Sequence, residues 1–440
     1  MDINLKIAMI SLGCPKNQVD ADVMCHKLLL EGHTTTPHIE EADVIIVNTC
    51  GFIESAKQES INNILMACDQ KNLDRKVKVI ATGCLAERYR EELANEIPEL
   101  DAVVGIGKNK DICEIVNKIE AERLFVGKKS DLALGGKRII SSPAHFAYLK
   151  ISEGCNNRCH FCAIPLIRGN LRCRDMQDIL NEAKWMVSEG VKEIIVVAQD
   201  VTAYGDDKGE NKSCELLYKL NAIEGVNWIR LLYAYPEKIT EEFAQTLADC
   251  DKIVPYIDIP IQHINSEVLK NMNRNGDRET VINSINRLRS KIPDITIRST
   301  LIVGFPGETE EQFEELCDFV REYKIDRLGC FAYSQEENTP ASVMDNQIDP
   351  EIKQKRADII MRIQSEVSEQ KQNAKIGKTL TVICDDYDSE YDLYVCRPKS
   401  DAPDIDTVCY VKSEEVLTQG GFYNVLIEEC DIYDLFGYIV

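Results

Sequence analysis

The sequence predicts an α/β protein in three segments. These are an N-terminal parallel-sheet α/β domain, a central partial (β/α)6 TIM-like barrel and a small C-terminal antiparallel β-barrel. Three observations carry this. Apolar runs suited to buried parallel strands alternate with helical patterns, first over about 125 residues and again from 146 to about 371. The second alternation holds six strand candidates, too many for a small open sheet. Beyond it, short strand patterns broken by turn residues replace the helices.

The first segment, 1–125, contains KIAMISLGC, DVIIVNTC and VKVIATGC, three apolar runs that each end in a cysteine. Helical patterns such as VDADVMCHKLLLEG and ESINNILMACD separate them, a βαβα arrangement. Residues 126–145 (VGKKSDLALGGKRIISSPAH) are rich in Gly, Ser, Lys and Pro without a clear period, which predicts a linker. The second segment, 141–371, has its strand candidates at FAYLKISEG, KEIIVVAQD, WIRLLYAY, IVPYIDIPI, ITIRSTLIVG and RLGCFAYS. A charged, Gln-rich helix from about Pro350 to Lys375 closes it. The third, 372–440, reads as short strands at TLTVICDDYD, YDLYVCRP, DTVCYV and YNVLIEECDIYDLFGYIV.

Bulk composition narrows the class. The chain has 440 residues, 28% charged and 44% hydrophobic, an ordinary balance for a protein in water. No run approaches the roughly 18 uninterrupted apolar residues of a membrane span. The start, MDINLKIAMISLGC, lacks the flanks of a secretory signal. A cytoplasmic location with no membrane partner is expected. Eighteen cysteines in a reducing compartment point to metal or redox chemistry rather than disulfides. The net charge of −23 argues against a broad nucleic-acid surface and favours basic proteins as partners.

The stretch EGCNNRCHFC places Cys155, Cys159 and Cys162 on the first loop at the carboxyl end of the predicted barrel, where active residues gather. Three thiolates hold three corners of an iron–sulfur cube and leave one iron open for substrate. The competing reading is a zinc site completed by Cys173 or His160, or plain structural cysteines. Cys14, Cys50 and Cys84 also follow strands. In a parallel sheet their loops emerge at one carboxyl edge, so a second set of three would converge there. Cys25, Cys68 and Cys113 lie within helical patterns and read as small buried hydrophobes.

CNNRCHFC, with Phe161 before its third cysteine, resembles the radical S-adenosylmethionine (SAM) superfamily. With an open cluster ahead of such a core and a small β domain after it, the whole chain resembles the radical SAM methylthiotransferase family. NTCGF, PLIRGNLRCR, DIPIQH and GFPGET are further matching stretches, and the final segment resembles that family's TRAM domain. Cys173 departs from the serine expected there. The opening SLGCPKNQVD resembles the branch that modifies an aspartate of ribosomal protein S-twelve; the branches acting on tRNA typically carry Gln after the first cysteine.

Charge discriminates physically between these branches. From Gln372 to Val440 there are 14 Asp plus Glu against 5 Lys plus Arg, a net of −9. A tRNA-holding domain should be basic. This one would repel phosphate and attract a basic protein, although acidic surfaces are also commonly just solubilising.

The resemblance implies specific roles. Cys155, Cys159 and Cys162 would hold the SAM-cleaving 4Fe-4S cluster, and Cys14, Cys50 and Cys84 an auxiliary 4Fe-4S cluster carrying the sulfur to be inserted. SAM would serve as methyl donor and as source of a deoxyadenosyl radical. Phe161 would lie along the adenine. Gln199, Ser299 and the backbone at Gly304 are candidate SAM contacts, though Gln199 could equally cap a turn and GFPG could be only a βα turn. The implied product is an aspartate methylthiolated at its β-carbon. The partners would be ribosomal protein S-twelve, free or in the small subunit, an electron donor and a sulfur donor, with tRNA as the alternative substrate.

Overall fold

A computed structural model describes residues 4–73, 76–119 and 122–440; residues 1–3, 74–75 and 120–121 of the first predicted segment lie outside them. Strands β1 (Lys6–Ser11), β2 (Thr34–Thr35), β3 (Val44–Thr49), β4 (Lys78–Thr82), β5 (Ala102–Val104) and β6 (Leu124–Phe125) form one sheet. Its order is β2-β1-β3-β4-β5-β6, with every pair parallel. The three cysteine-ending runs are β1, β3 and β4, side by side at its centre. All six residues of β3 are buried, as a strand covered on both faces requires. Cys25 and Cys68 are buried in the helices Pro15–Leu30 and Glu54–Asp69. Cys113, half-buried in Ile112–Lys118, packs as an apolar group.

The second segment supplies β7 (Phe146–Lys150), a short antiparallel pair β8 (Ser152–Glu153) and β9 (Arg172–Cys173), then β10 (Glu193–Val197), β11 (Trp228–Leu231), β12 (Ile253–Asp258), β13 (Thr296–Val303) and β14 (Arg327–Ala332). The six longer strands run in the order β7-β10-β11-β12-β13-β14, all parallel, and the arc does not close. Helices cover its outer face. One of them, Glu310–Tyr323, starts at a capping box between Thr309 and Gln312 and buries Phe313, Leu316, Cys317, Phe319 and Val320. The helix expected near the end of this segment spans Pro350–Asn373 and packs on β14 and β13.

Strands β15 (Thr379–Asp388), β16 (Leu393–Pro398), β17 (Cys409–Lys412), β18 (Phe422–Cys430) and β19 (Leu435–Ile439) close a barrel in the order β15-β16-β17-β19-β18. Two details differ from expectation. The last sequence pattern divides into two strands because the Asp431 carboxylate accepts the Tyr433 and Asp434 N–H groups in a tight turn. The barrel is antiparallel at every pairing but one, since β17 and β19 run parallel.

The open lumen of the arc is filled from both sides. Phe146, Tyr148, Ile195, Val197, Trp228, Val254 and Tyr256 line it, while Val19 of the first segment and Ile383 and Ala402 of the third pack into the same core. Phe422 meets Trp228 edge-on, with ring centroids 4.9 Å apart. The loop after β16 then inserts acids: Asp401 pairs with Arg327, and Asp406 with Arg298 and the Tyr256 hydroxyl. The predicted linker is also no free tether. Arg138 within it is buried, with Asp22 at 2.7 Å on one side and Glu182 at 2.8 Å on the other. Among the described residues no helix is long and apolar enough to cross a membrane.

Candidate functional site

Three loops at the carboxyl edge of β1, β3 and β4 assemble the first cysteine trio. Cys14 precedes the helix Pro15–Leu30 in extended conformation, and Pro15 suits the first helical position because an N–H there would have no partner. Cys50 directly follows β3, and Cys84 is the second residue of the helix Gly83–Arg88. Glycine permits the close approach. A Cβ on Gly13, at φ +85°, would lie 2.7 Å from Cβ of Cys50 and 2.8 Å from its Sγ. A Cβ on Gly83, at φ +90°, would lie 2.6 Å from the Thr49 nitrogen. The three thiols feel one another: burial first, then Cys84 and Cys14, pushes Cys50 up to about 12. A cavity of about 300 Å³ opens beside Cys14, lined by Ser11, Leu12, Gly13, Gln18 and Ser141.

The second trio lies on the loop after β7 and β8. Backbone N–H groups point at two of its sulfurs, Asn157 to Cys155 at 3.5 Å and Ile164 to Cys162 at 3.4 Å. Cys159 Sγ has the Tyr235 hydroxyl at 3.7 Å and Arg274 Nη1 at 3.9 Å. Burial pushes Cys155 up to about 11, and burial with Cys159 raises Cys162 as well. The loop is held from outside by Asn157 donating to Asp200 at 3.0 Å and Asn273 donating to the Arg158 carbonyl at 2.9 Å.

The proposed zinc completers are otherwise engaged. His160 Nδ1 lies 2.8 Å from the Asn271 carbonyl, and Cys173 Sγ accepts the Gly205 N–H at 3.1 Å. Among the described residues no three His, Cys, Asp or Glu groups stand close enough to share a single ion. A cubic cluster takes its thiolates at separate corners. Three neighbouring thiols fit such a cluster at each trio: N–H, hydroxyl and guanidinium donors meet the sulfurs of Cys155, Cys159 and Cys162, and a guanidinium meets the sulfur of Cys84.

Between the trios runs a buried charged seam. Arg168, from PLIRGNLRCR, directs Nε and Nη2 at Cys84 Sγ, both at 3.4 Å. Its Nη1 donates to Asp20 and to Glu153, each at 2.8 Å, and Nη2 also donates to Asn17 at 3.0 Å. Lys150 reaches the same two carboxylates. Burial opposes the charge on Glu153, but Arg168 and Lys150 outweigh it and hold the carboxyl at about 2. The turn after β11 also spans both sites. Tyr233, at φ +66°, carries the Lys16 ammonium 4.0 Å over its ring, while Tyr235 reaches Cys159.

Phe161 packs against a cluster that includes Met272, Phe305 and Tyr333, and Phe305 directly follows Gly304. The Gly304 N–H donates to Glu308 at 2.9 Å. Gln199 donates to Glu153 at 2.5 Å, with its amide oxygen buried and unpartnered. Ser299 is not free: its hydroxyl donates to the Ile259 carbonyl at 2.7 Å and accepts the Ile261 N–H, which positions the DIPIQH loop. Reasoning from sequence missed Arg168, Glu153, Lys150, Lys16, Tyr233 and Tyr235. Arg168 stood inside a quoted stretch and Glu153 two residues before Cys155, but nothing in spacing says that they meet.

Comparisons with known proteins agree with this geometry. Residues 149–320 match the radical SAM superfamily, residues 6–105 the uncharacterized protein family UPF0004, and residues 376–440 the TRAM domain. The ribosomal protein uS12 methylthiotransferase RimO of Clostridioides difficile is 48% identical over 437 residues, 98% of each chain. The enzymes of the same description from Acetivibrio thermocellus and Bdellovibrio bacteriovorus are each 45% identical, covering 99% of this chain and 98% of theirs. Among solved structures, the radical S-adenosylmethionine methyltransferase TsrM from Kitasatospora setae superimposes with a TM-score of 0.60 at 14% identity. It covers 78% of this chain and 77% of that one, a likeness of fold.

Proposed function

Because this chain belongs to the ribosomal protein uS12 methylthiotransferase RimO family, we propose that it is a radical SAM enzyme that inserts a methylthio group at the β-carbon of an aspartate of uS12. The observation that carries the reading is the pair of three-cysteine sites flanking one charged seam. Cys155, Cys159 and Cys162 would hold the SAM-cleaving 4Fe-4S cluster, and Cys14, Cys50 and Cys84 the auxiliary one. Bound there, the two clusters supply the electron that splits SAM and the sulfur that is transferred.

The chain's own residues do the rest. Arg168 sets a positive charge against the Cys84 sulfur and ties it to the barrel through Glu153. Phe161, backed by Phe305 and Tyr333, offers an apolar wall suited to an adenine. Gln199 presents an unpartnered amide oxygen to a SAM donor. The lumen, plugged by Ile383 and Ala402, excludes water from beneath the reacting groups. An electron donor and a sulfur donor complete the cycle.

The third domain is read as the face toward uS12. Part of its acid is internal, since Asp385, Asp401 and Asp406 pair with His145, Arg327 and Arg298. Asp386, Glu390, Asp392, Glu414, Glu415, Glu428, Glu429 and Asp431 remain exposed. That surface suits a basic protein and repels the phosphates of tRNA. The test is anaerobic incubation of reconstituted protein with SAM, reductant, sulfide and either uS12 or tRNA, followed by mass spectrometry. Methylthiolated uS12 and unmodified tRNA are expected; the reverse would restore the tRNA alternative.

A further inference from the structure

We propose that Lys16 is the receptor for the carboxylate of the substrate aspartate, a proposal that rests on the uS12 reading above. Lys16 is 6% exposed, two residues beyond Cys14. Its ammonium donates to the Ala198 carbonyl at 3.2 Å and sits 4.0 Å above the Tyr233 ring. Both partners are neutral. No carboxylate oxygen lies within 4.0 Å of it among the described residues. A cation removed from water without an anion is costly, so such a site is completed by a negative group that arrives from outside.

The surroundings sharpen the inference. Several other cations around the two trios have their anions. Arg168 and Lys150 share Asp20 and Glu153, Lys238 has Asp200 and Asp206, and Arg298 has Asp258 and Asp406. Arg168, moreover, is the cation placed against the Cys84 sulfur. Lys353, also without a carboxylate in reach among the described residues, lies over the Tyr333 ring beside Gly304 on the arc, so Lys16 is the buried cation left over at the junction between the trios. Its sequence neighbour Cys14 belongs to the auxiliary trio. Its two contacts lie within two residues of groups at the other trio: Ala198 precedes Asp200, whose partner Asn157 lies in the cysteine loop, and Tyr233 precedes Tyr235, which touches Cys159.

The chemistry fits an aspartate. The β-carbon is bonded directly to the side-chain carboxyl carbon, so anchoring that carboxylate fixes the reacting atom to within one bond. No ring carbon of an adenine bears a carboxylate, so Lys16 would favour an aspartate over an adenine as the group that reacts. A charged hydrogen bond in a dry site is worth roughly ten- to a hundredfold in affinity.

The test is a four-way binding comparison by fluorescence anisotropy. Wild-type and Lys16→Met proteins, both cluster-reconstituted, are titrated with uS12 and with uS12 carrying Asn at the modified aspartate. Wild type is expected to bind the Asp form at least about tenfold tighter, and Lys16→Met to bind both forms alike while retaining its iron. If Lys16→Met loses iron, Lys16→Gln keeps a donor to the Ala198 carbonyl and is expected to lose the preference too, whereas Lys16→Arg keeps it. A Lys16→Met or Lys16→Gln protein that still prefers Asp overturns the assignment. So does loss of SAM binding with the preference intact, because the anion would then be the SAM carboxylate. Wild type that neither distinguishes the two forms nor modifies uS12 overturns the substrate reading itself.

Discussion

Two guanidinium nitrogens of Arg168 lie 3.4 Å from Sγ of Cys84, although the two residues come from different domains and are 84 positions apart. The same side chain is anchored by Asp20 of the first domain and Glu153 of the second. One residue thus fixes how the auxiliary trio faces the barrel. It also sets a permanent positive charge beside the Cys84 sulfur, which would carry a negative one as a cluster ligand.

Removing that charge is the first prediction. Arg168→Met leaves Asp20 and Glu153 sharing Lys150 alone, and breaking such a buried network costs roughly 3–5 kcal/mol. Thermal unfolding is expected to begin at a clearly lower temperature, with iron lost first from the auxiliary site. Arg168→Lys keeps the charge but not the fork that reaches Cys84 and both carboxylates together, so it is expected to rescue only part of the stability. A Met variant as stable as wild type would show that the seam does not hold the two domains.

Changing Cys155, Cys159 and Cys162 together to Ala is expected to leave about half the iron, one cluster of two, and to abolish deoxyadenosine formation from SAM. Iron analysis and chromatography of the SAM products check this directly. SAM cleavage that survives would contradict the assignment.

The other trio divides the labour. The triple Ala variant of Cys14, Cys50 and Cys84 is expected to cleave SAM and yet transfer no sulfur to uS12. These thiols lie at the edge of the N-terminal sheet, whereas Phe161 packs against Phe305 and Tyr333 beside the arc. Methylthiolated uS12 from this variant would sink the division.

Much of this was legible in the chain. Apolar runs such as VIIVNT are buried on both faces and declare parallel strands, and a cysteine at each strand end places three thiols on one edge. What stayed hidden is long-range. Arg168, Asp20 and Glu153 look like surface charges until the fold buries them together. Residues 126–145 read as a linker because they lack a period, yet Arg138 within them bridges two domains. Local pattern reports burial of a face; it does not report which distant charge will be buried against it. The parallel β17–β19 pairing escaped for the same reason, since strand direction within a barrel depends on connections, not on alternation.

Acid sensitivity follows from Glu153. Its carboxyl is held at about 2 in the fold, because Arg168 and Lys150 outweigh the opposing effect of burial, against about 4.3 in an unfolded chain. A lowered folded value stabilises above the unfolded one, so this contribution is full above about pH 4.3 and is lost as pH falls toward about 2. In iron-free protein, urea midpoints followed by Trp185 and Trp228 fluorescence are expected to drop across that window. Glu153→Gln is expected to be less stable at neutral pH and to flatten the drop. An equally steep fall in the variant would assign the acid sensitivity to other carboxylates.

The last prediction concerns docking of uS12. Asp385 cannot serve as a free docking charge: it accepts from His145 at 2.7 Å and from Arg397 at 3.0 Å, and its loss would disturb the junction between barrel and arc. The Asp388 carboxylate caps the turn N–H groups of Glu390 and Tyr391. Asp386, Glu390 and Asp392 are the exposed acids of that hairpin. Asn tolerates the left-handed backbone of Asp392, at φ +55°, and still accepts from the Tyr387 hydroxyl. The triple variant Asp386→Asn, Glu390→Gln, Asp392→Asn is therefore expected to fold and to cleave SAM as wild type does. Its association with uS12 is expected to slow at low salt while dissociation changes little, because exposed charges steer encounter more than they hold a complex. The gap is expected to close near physiological ionic strength, where screening acts over about 8 Å. Wild-type association kinetics at low salt would rule out steering through this hairpin and leave Glu428 and Glu429 as the acids to remove next.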